Sequence, residues 1–262
     1  LDWLANKTTP QMTRYFLGEF HRAARRHGVA PFRGTEYWEG DYSLLAEPPE
    51  FTGLRGLPAR YRYIGPLIAR LDGAVPDEIR RIPRDRPIVW FAMGSSGSPE
   101  IIAQILRGFG DRPYRVIAPV KSLIERLRMS VPENVIVTGF LPAHLVNPMA
   151  NVSVIHGGVG TVMTACLSGT PIVGVGMQPE QEANLECVVR LGFGIRIRKK
   201  RVTAAAILEA VDRLLADEGA RRKALAFKQV LERWDGPANA ARFFEETFAD
   251  PPPPSPIRSR DR

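Results

Sequence analysis

The chain has 262 residues, 44% of them apolar, with 36 Lys and Arg against 28 Asp and Glu for a formal net charge of +8. That length suits one large domain or two modest ones with a sizeable core, and no apolar run approaches the ~20 residues a membrane-spanning helix needs. The cations are scattered, and clusters such as "RKKR" (198–201) lack interleaved aromatics, so a solvated basic face is expected rather than a nucleic-acid surface, with attraction to an anionic membrane surface or substrate left open.

The opening "LDWLANKTTPQ" lacks an initiator Met and does not read as a secretory leader, which implies a piece of a longer protein. Thr9-Pro10 forms a helix start, and "QMTRYFLGEFHRAARRHG" places Met12, Phe16, Phe20 and Ala23 near one helical face, stopping at Gly28. "DYSLLAE" reads as a short strand, and "PPEFTGLRGLPARYRYIGPL" as a Pro- and Gly-rich connector ending near Pro66. From Pro87 to Arg198 short β-rich runs alternate with helical stretches: "IVWFAM" (88–93), "YRVIAPV" (114–120), "NVIVTGF" (134–140), "VSVIH" (152–156), "PIVGVG" (171–176) and "GIRIR" (194–198). Parallel neighbours need a crossover, so this alternation predicts a doubly wound, Rossmann-like α/β domain with a parallel sheet. Three helical segments follow, and "PPPPSPIRSRDR" has the composition of a disordered tail. Cys166 and Cys187 fall in apolar helical patterns and read as buried free thiols, which suits a reducing cytoplasm.

In such a sheet ligands bind beyond the carboxyl ends of the strands. Two strand-to-helix turns there are unusual. "AMGSSGSPE" (92–100) is by itself compatible with a plain flexible turn. "VIHGGVGTVMTAC" places His156, Gly157 and Gly158 before a helix that opens at Gly160-Thr161. Unpaired N–H groups and the dipole at a helix start suit phosphate; the competing reading is a tight turn with a buried, satisfied histidine. "GMQPEQEANLE" then puts Glu180, Gln181 and Asn184 at the next helix start, able to bond sugar hydroxyls or simply polar for helix-start reasons. No "GxxxxGK[ST]" loop, no G-x-G-x-x-G after the first sheet strand, no Cys/His metal spacing and no Asp-x-Asp pair is present. A diphosphate bound here must therefore be held without metal or resident cofactor.

Taken in order, "FAMGSS", "VIVTGFLPAHLV" and "VSVIHGGVGTVMTACLSGTPIVGVGMQPEQEANLECVVRLGFGIRI" resemble the C-terminal half of a GT-B-fold glycosyltransferase of the UDP-glycosyltransferase and macrolide or glycopeptide glycosyltransferase superfamily. The resemblance covers roughly residues 62–245. It implies residues 1–65 as a remnant of an N-terminal acceptor domain plus linker, 66–249 as the nucleotide-sugar-binding domain with its C-terminal helices, and 250–262 as the tail. It implies an inverting transfer from a UDP- or dTDP-linked sugar to an acceptor hydroxyl on a small molecule or lipid. It further implies diphosphate contacts at Ser95, His156, Gly157, Gly158, Gly160 and Thr161, base contacts at Phe140 and Leu141, and donor-sugar contacts at Glu180 and Gln181.

The departures are Phe140 where many members have Trp, Ala143 for a frequent Gln, Thr164 where many place a ribose-binding Glu, and Glu180 for the commoner Asp. The family's catalytic base belongs to the N-terminal domain; His21 and His27 do not match it and read as surface histidines. A partner polypeptide could supply that domain, and the chain would then be a non-catalytic nucleotide-sugar-binding module or a truncated relic. A sugar-nucleotide epimerase of the same fold is the further alternative.

Overall fold

The computed structural model describes residues 17–30, 40–70, 72–93 and 98–249. The chain divides into two compact units, residues 1–45 with 56–62, and residues 46–55 with 63–262. The Thr9-Pro10 helix start, Met12, Phe16 and the "PPPPSPIRSRDR" tail lie outside the described residues.

In the first unit, helix α1 (Gly18–Arg26) has Glu19 in its first turn and Arg25 and Arg26 in its last, which matches the helix dipole at both ends. His27 is exposed, whereas His21 is half-buried. Strand β1 (Ser43–Leu45) follows, and the Ser43 N–H donates to the Arg60 carbonyl at 2.9 Å. The expected connector contains more structure than its prolines and glycines suggest. Pro49–Thr52 forms one helical turn, α2, and Tyr61–Tyr63 forms β2, the partner of β1 in a two-stranded sheet. The Tyr-Arg-Tyr alternation suits a half-exposed strand and outweighs the flanking breakers.

The second unit begins with the turn α2, whose Phe51 is buried against Phe227, ring centroids 6.0 Å apart. Arg190 donates to the Phe51 carbonyl, and Asn239 Nδ2 donates to the Ile64 carbonyl at 2.9 Å, so both flanks of the connector are tied to the C-terminal part. A short helix α3 (Asp77–Arg80) precedes the main sheet. Its elements run β3 (Ile88–Ala92), α4 (Pro99–Gly108), β4 (Arg115–Ala118), α5 (Lys121–Leu127), β5 (Val135–Val137), α6 (Ala143–Val146), β6 (Val152–Ile155), α7 (Val159–Ser168), β7 (Ile172–Gly174), α8 (Pro179–Leu191) and β8 (Gly194–Arg196). Helices α9 (Ala204–Ala216), α10 (Glu218–Leu231) and α11 (Gly236–Phe248) complete it.

The six strands are ordered β5-β4-β3-β6-β7-β8 and every pairing is parallel. Central strands covered on both faces must be apolar throughout, and β3 and β6 are accordingly buried along nearly their whole length. Side chains of β3 alternate: Val89 and Phe91 enter the larger core with Ile105 and Phe109, while Ile88 and Trp90 enter a smaller one with Ile79, Ile117 and Val146. The one polar side chain in β6, Ser153, is satisfied by Asn147 Oδ1 at 2.8 Å. This is a doubly wound α/β sheet, as the alternation predicts.

From β3 the chain moves outward to β4 and β5, then returns to the other side of β3 for β6, β7 and β8. The order therefore reverses between β3 and β6. Helices leave in opposite directions at such a point, and a crevice opens beyond the strand ends.

Candidate functional site

The register pairs Ala92 with Ile155, so the turns after β3 and β6 leave the sheet side by side at its carboxyl edge. Ser95, expected in the first of these turns, lies outside the described residues. The second is fully described. Gly157 has φ +91°, and an added Cβ would stand 2.8 Å from the Gln181 carbonyl oxygen and from Leu185. Glycine is needed there for backbone sign and for space. At Gly158 a Cβ would meet His156 Nε2 at 2.8 Å, so the missing side chain lets the imidazole fold over the turn. A Cβ on Gly160 would meet nothing within 4 Å, which leaves that backbone open on its outer side.

His156 is half-buried, and its Nδ1 has no hydrogen-bond partner among the described residues. The satisfied core histidine is therefore not what the turn contains. Helix α7 begins at the Gly158 N-cap with no side-chain cap and no acidic residue in its first turn. The Val162 N–H to Gly158 carbonyl bond, 2.9 Å, starts the helical ladder, so the amides of Gly160 and Thr161 have no described backbone acceptor. Free N–H groups with the positive dipole end make an anion-receptive mouth.

Glu180 reaches this mouth from α8. Its Oε1 accepts from the Val159 N–H at 3.3 Å and from Asn184 Nδ2 at 2.5 Å, and Asn184 Nδ2 also donates to the Gly157 carbonyl at 3.0 Å. Glu180 and Asn184 thus bind the histidine turn to α8. The sequence shows these residues at a helix start; it does not show that they reach back across 20-odd positions to the preceding turn. Gln181 is 7% exposed and its Oε1 accepts from the Met177 N–H at 2.9 Å, one residue before the Gln178 N-cap. Its carbonyl-side oxygen is thereby committed to the chain itself. Thr161 is half-buried in the first turn of α7. Thr164 is buried, and its hydroxyl donates to the Gly160 carbonyl at 2.7 Å, so it back-bonds along the helix.

On the other side of the switch point, the loop after β5 carries Phe140, 75% exposed, next to Leu141, which is 5% exposed and part of the smaller core. Only the backbone of Leu141 can face a ligand. Strands lie ~4.8 Å apart, so the ends of β5 and β6, three spacings apart, are separated by ~14 Å. That is about the length of an extended nucleoside diphosphate. No group of three or more His, Cys, Asp or Glu able to hold a metal ion occurs among the described residues. Cys166 is buried and Cys187 half-buried, both free, and burial pushes both thiols up.

Residues 103–257, more than half of the chain, match the family described as Erythromycin biosynthesis protein CIII-like, C-terminal domain. The chain belongs to the EryCIII-like C-terminal domain family. Among relatives of this EryCIII-like chain, a PGL/p-HBAD biosynthesis glycosyltransferase of Mycobacterium tuberculosis is 31% identical over 211 residues, which cover 78% of this chain and 49% of the relative. A demethyllactenocin mycarosyltransferase of Streptomyces fradiae is 29% identical over 189 residues, 71% of this chain and 41% of that one. The EryCIII-like chain spans about half the length of the relatives it matches. In three dimensions it superposes on CalG4, the calicheamicin glycosyltransferase, with TM-score 0.66 and 25% identity over 90% of this chain and 59% of that one. It shares its fold with a spinosyn rhamnosyltransferase solved with thymidine diphosphate, TM-score 0.67 at 17% identity, over 86% and 60% of the two chains. No helix among the described residues is long and apolar enough to cross a membrane.

Proposed function

We propose that this chain is the donor-binding half, residues 66–249, of an inverting glycosyltransferase that uses a UDP- or dTDP-linked sugar. The observation that carries the reading is the start of α7 at the switch point, where the Gly160 and Thr161 amides have no described acceptor and the preceding His156 has an unpartnered Nδ1. In the complete enzyme a base from the N-terminal half takes the proton of an acceptor hydroxyl. The oxygen attacks the anomeric carbon, and the bond to the diphosphate breaks with its electron pair remaining on the phosphate oxygen. The helix mouth and His156 stabilise the charge that develops there, the part that preorganised donors play in group transfer. Phe140 offers the exposed aromatic face for the base, and Glu180 stands where the sugar leaves the diphosphate. The relatives' printed activities, transfer of rhamnose or mycarose among them, support a sugar donor, and the thymidine diphosphate complex supports a nucleoside diphosphate. We place the protein in the cytoplasm, in keeping with its two free thiols.

Calorimetric titration of the chain with uridine diphosphate and thymidine diphosphate, with a metal chelator present, tests the reading. One of the two should bind at or below millimolar concentration, unaffected by the chelator. Absence of binding by both at that concentration defeats the donor-site assignment.

A further inference from the structure

The cluster Arg198-Lys199-Lys200-Arg201 is not used by the donor crevice. It forms a single 3-10 turn (Lys199–Arg201) after β8, with all four side chains exposed. They line one groove of about 570 Å³ together with Met177 and Pro179, at the carboxyl edge of β7 and β8. Arg196 at its base is neutralised, paired with Glu182 and, at 2.9 Å, with Glu186. No ion pair joins Arg198, Lys199, Lys200 or Arg201 to a described carboxylate.

The position of these cations is unusual for a helix start. Cations suit helix C-termini, yet this cluster immediately precedes the N-terminus of the 13-residue α9, and the groove takes in Pro179 and Glu182 from the first turn of the 13-residue α8. Glu182, the one carboxylate lining the groove, is paired with Arg196, which leaves the four exposed cations without a counter-charge in the concavity. An anion entering the groove supplies that counter-charge, and the guanidinium groups can grip phosphate oxygens in pairs.

We propose that this groove is a second anion site that binds the phosphate group of a ligand other than the nucleotide, with Met177 and Pro179 contacting the apolar body that carries it. The phosphate arrives on a soluble ligand or as a lipid headgroup, and both sources present the same chemistry. The site is separate from the mouth of α7 and does not depend on the donor assignment.

The test uses the full chain and inorganic pyrophosphate as the probe, in a His156→Ala background that weakens the α7 mouth. Binding should persist in that background and fall about fivefold per cation removed in Lys199→Ala/Lys200→Ala. The exposed side chains should leave the melting temperature unchanged, and Lys199→Arg/Lys200→Arg should retain binding. Vesicles complete the assignment. Capture by phosphatidylglycerol but not phosphatidylcholine vesicles, lost in the double alanine variant and at high salt, assigns the phosphate to a lipid headgroup; pyrophosphate binding without vesicle capture assigns it to a soluble ligand. Pyrophosphate affinity abolished by His156→Ala alone, or indifferent to the two lysines, overturns the proposal.

Discussion

Glu180 is the residue at which this site is most informative. Its carboxylate accepts from the Val159 N–H at the α7 mouth, so in the proposed complex it competes with the phosphate there before turning to the sugar. Like charges cannot share that position, so a nucleoside diphosphate has to displace it toward the sugar side. Glu180→Gln should therefore tighten a nucleoside diphosphate about two- to fivefold, the size of a helix-terminus charge effect, while the intact nucleotide sugar gains nothing or weakens; calorimetry on both ligands reads the difference. Weaker binding of the bare diphosphate would show that the carboxylate assists rather than competes. The backbone character of the turn at His156, Gly157 and Gly158 is legible in the sequence, because two adjacent glycines before a helix have few other uses. The bond from Asn184 to the Gly157 carbonyl and the burial of Gln181 are not legible, since both depend on how closely α8 packs over Gly157 and Gly174, where an added Cβ would meet Leu185 at 2.8 and 2.1 Å.

Helices α1 to α8 have no side-chain bond from their N-cap residue. The three that close the chain are capped: Thr203 accepts from Ala206 N at 3.1 Å, Asp217 from Ala220 N at 2.9 Å and Asp235 from Ala238 N at 3.1 Å. The caps at α9, α10 and α11 satisfy amides that would otherwise lack an acceptor. Asp217→Ala should cost about 1 kcal/mol of stability in urea unfolding with nucleotide affinity unchanged; a parallel loss of affinity would tie α10 to the site. Element type and order follow from periodicity, as the alternation from β3 to β8 shows. Strand ends do not. The runs 134–140, 171–176 and 194–198 shorten to Val135–Val137, Ile172–Gly174 and Gly194–Arg196; the Thr138, Val175 and Ile197 N–H groups make the last bonds to the neighbouring strand, and the residues beyond them build the carboxyl-edge loops. The β2 strand was concealed by the prolines and glycines around it.

At the scale of the molecule, the order of the parallel sheet locates the proposed site, since the reversal between β3 and β6 brings the carboxyl ends of those two strands together. That much follows from sequence once the strands are parallel; the strand order itself rests on long-range pairing that no local pattern records. The same packed sheet buries Cys166 completely and pushes its thiol pKa well above the usual thiol value. Desolvation of the thiolate is the cause. The unfolded chain gives up that proton near pH ~9 and the folded chain retains it, so the unfolded state binds fewer protons and stability falls as pH rises from there. The slope from this one group is about 1.4 kcal/mol per pH unit. Urea unfolding of wild type and Cys166→Ala on either side of that pH should show the steeper decline in the wild type, and equal slopes would contradict the burial.

The central claim is that the mouth of α7 and the His156 imidazole hold a diphosphate while Phe140 holds a base. Paired titrations of nucleoside diphosphate and free nucleoside into wild type, His156→Ala and Phe140→Ala test it most directly. His156→Ala should weaken the diphosphate about tenfold or more and leave the nucleoside unchanged, whereas Phe140→Ala should weaken both ligands alike, by about 1–3 kcal/mol. Equal weakening of diphosphate and nucleoside by His156→Ala would remove the histidine from the phosphate and contradict the account.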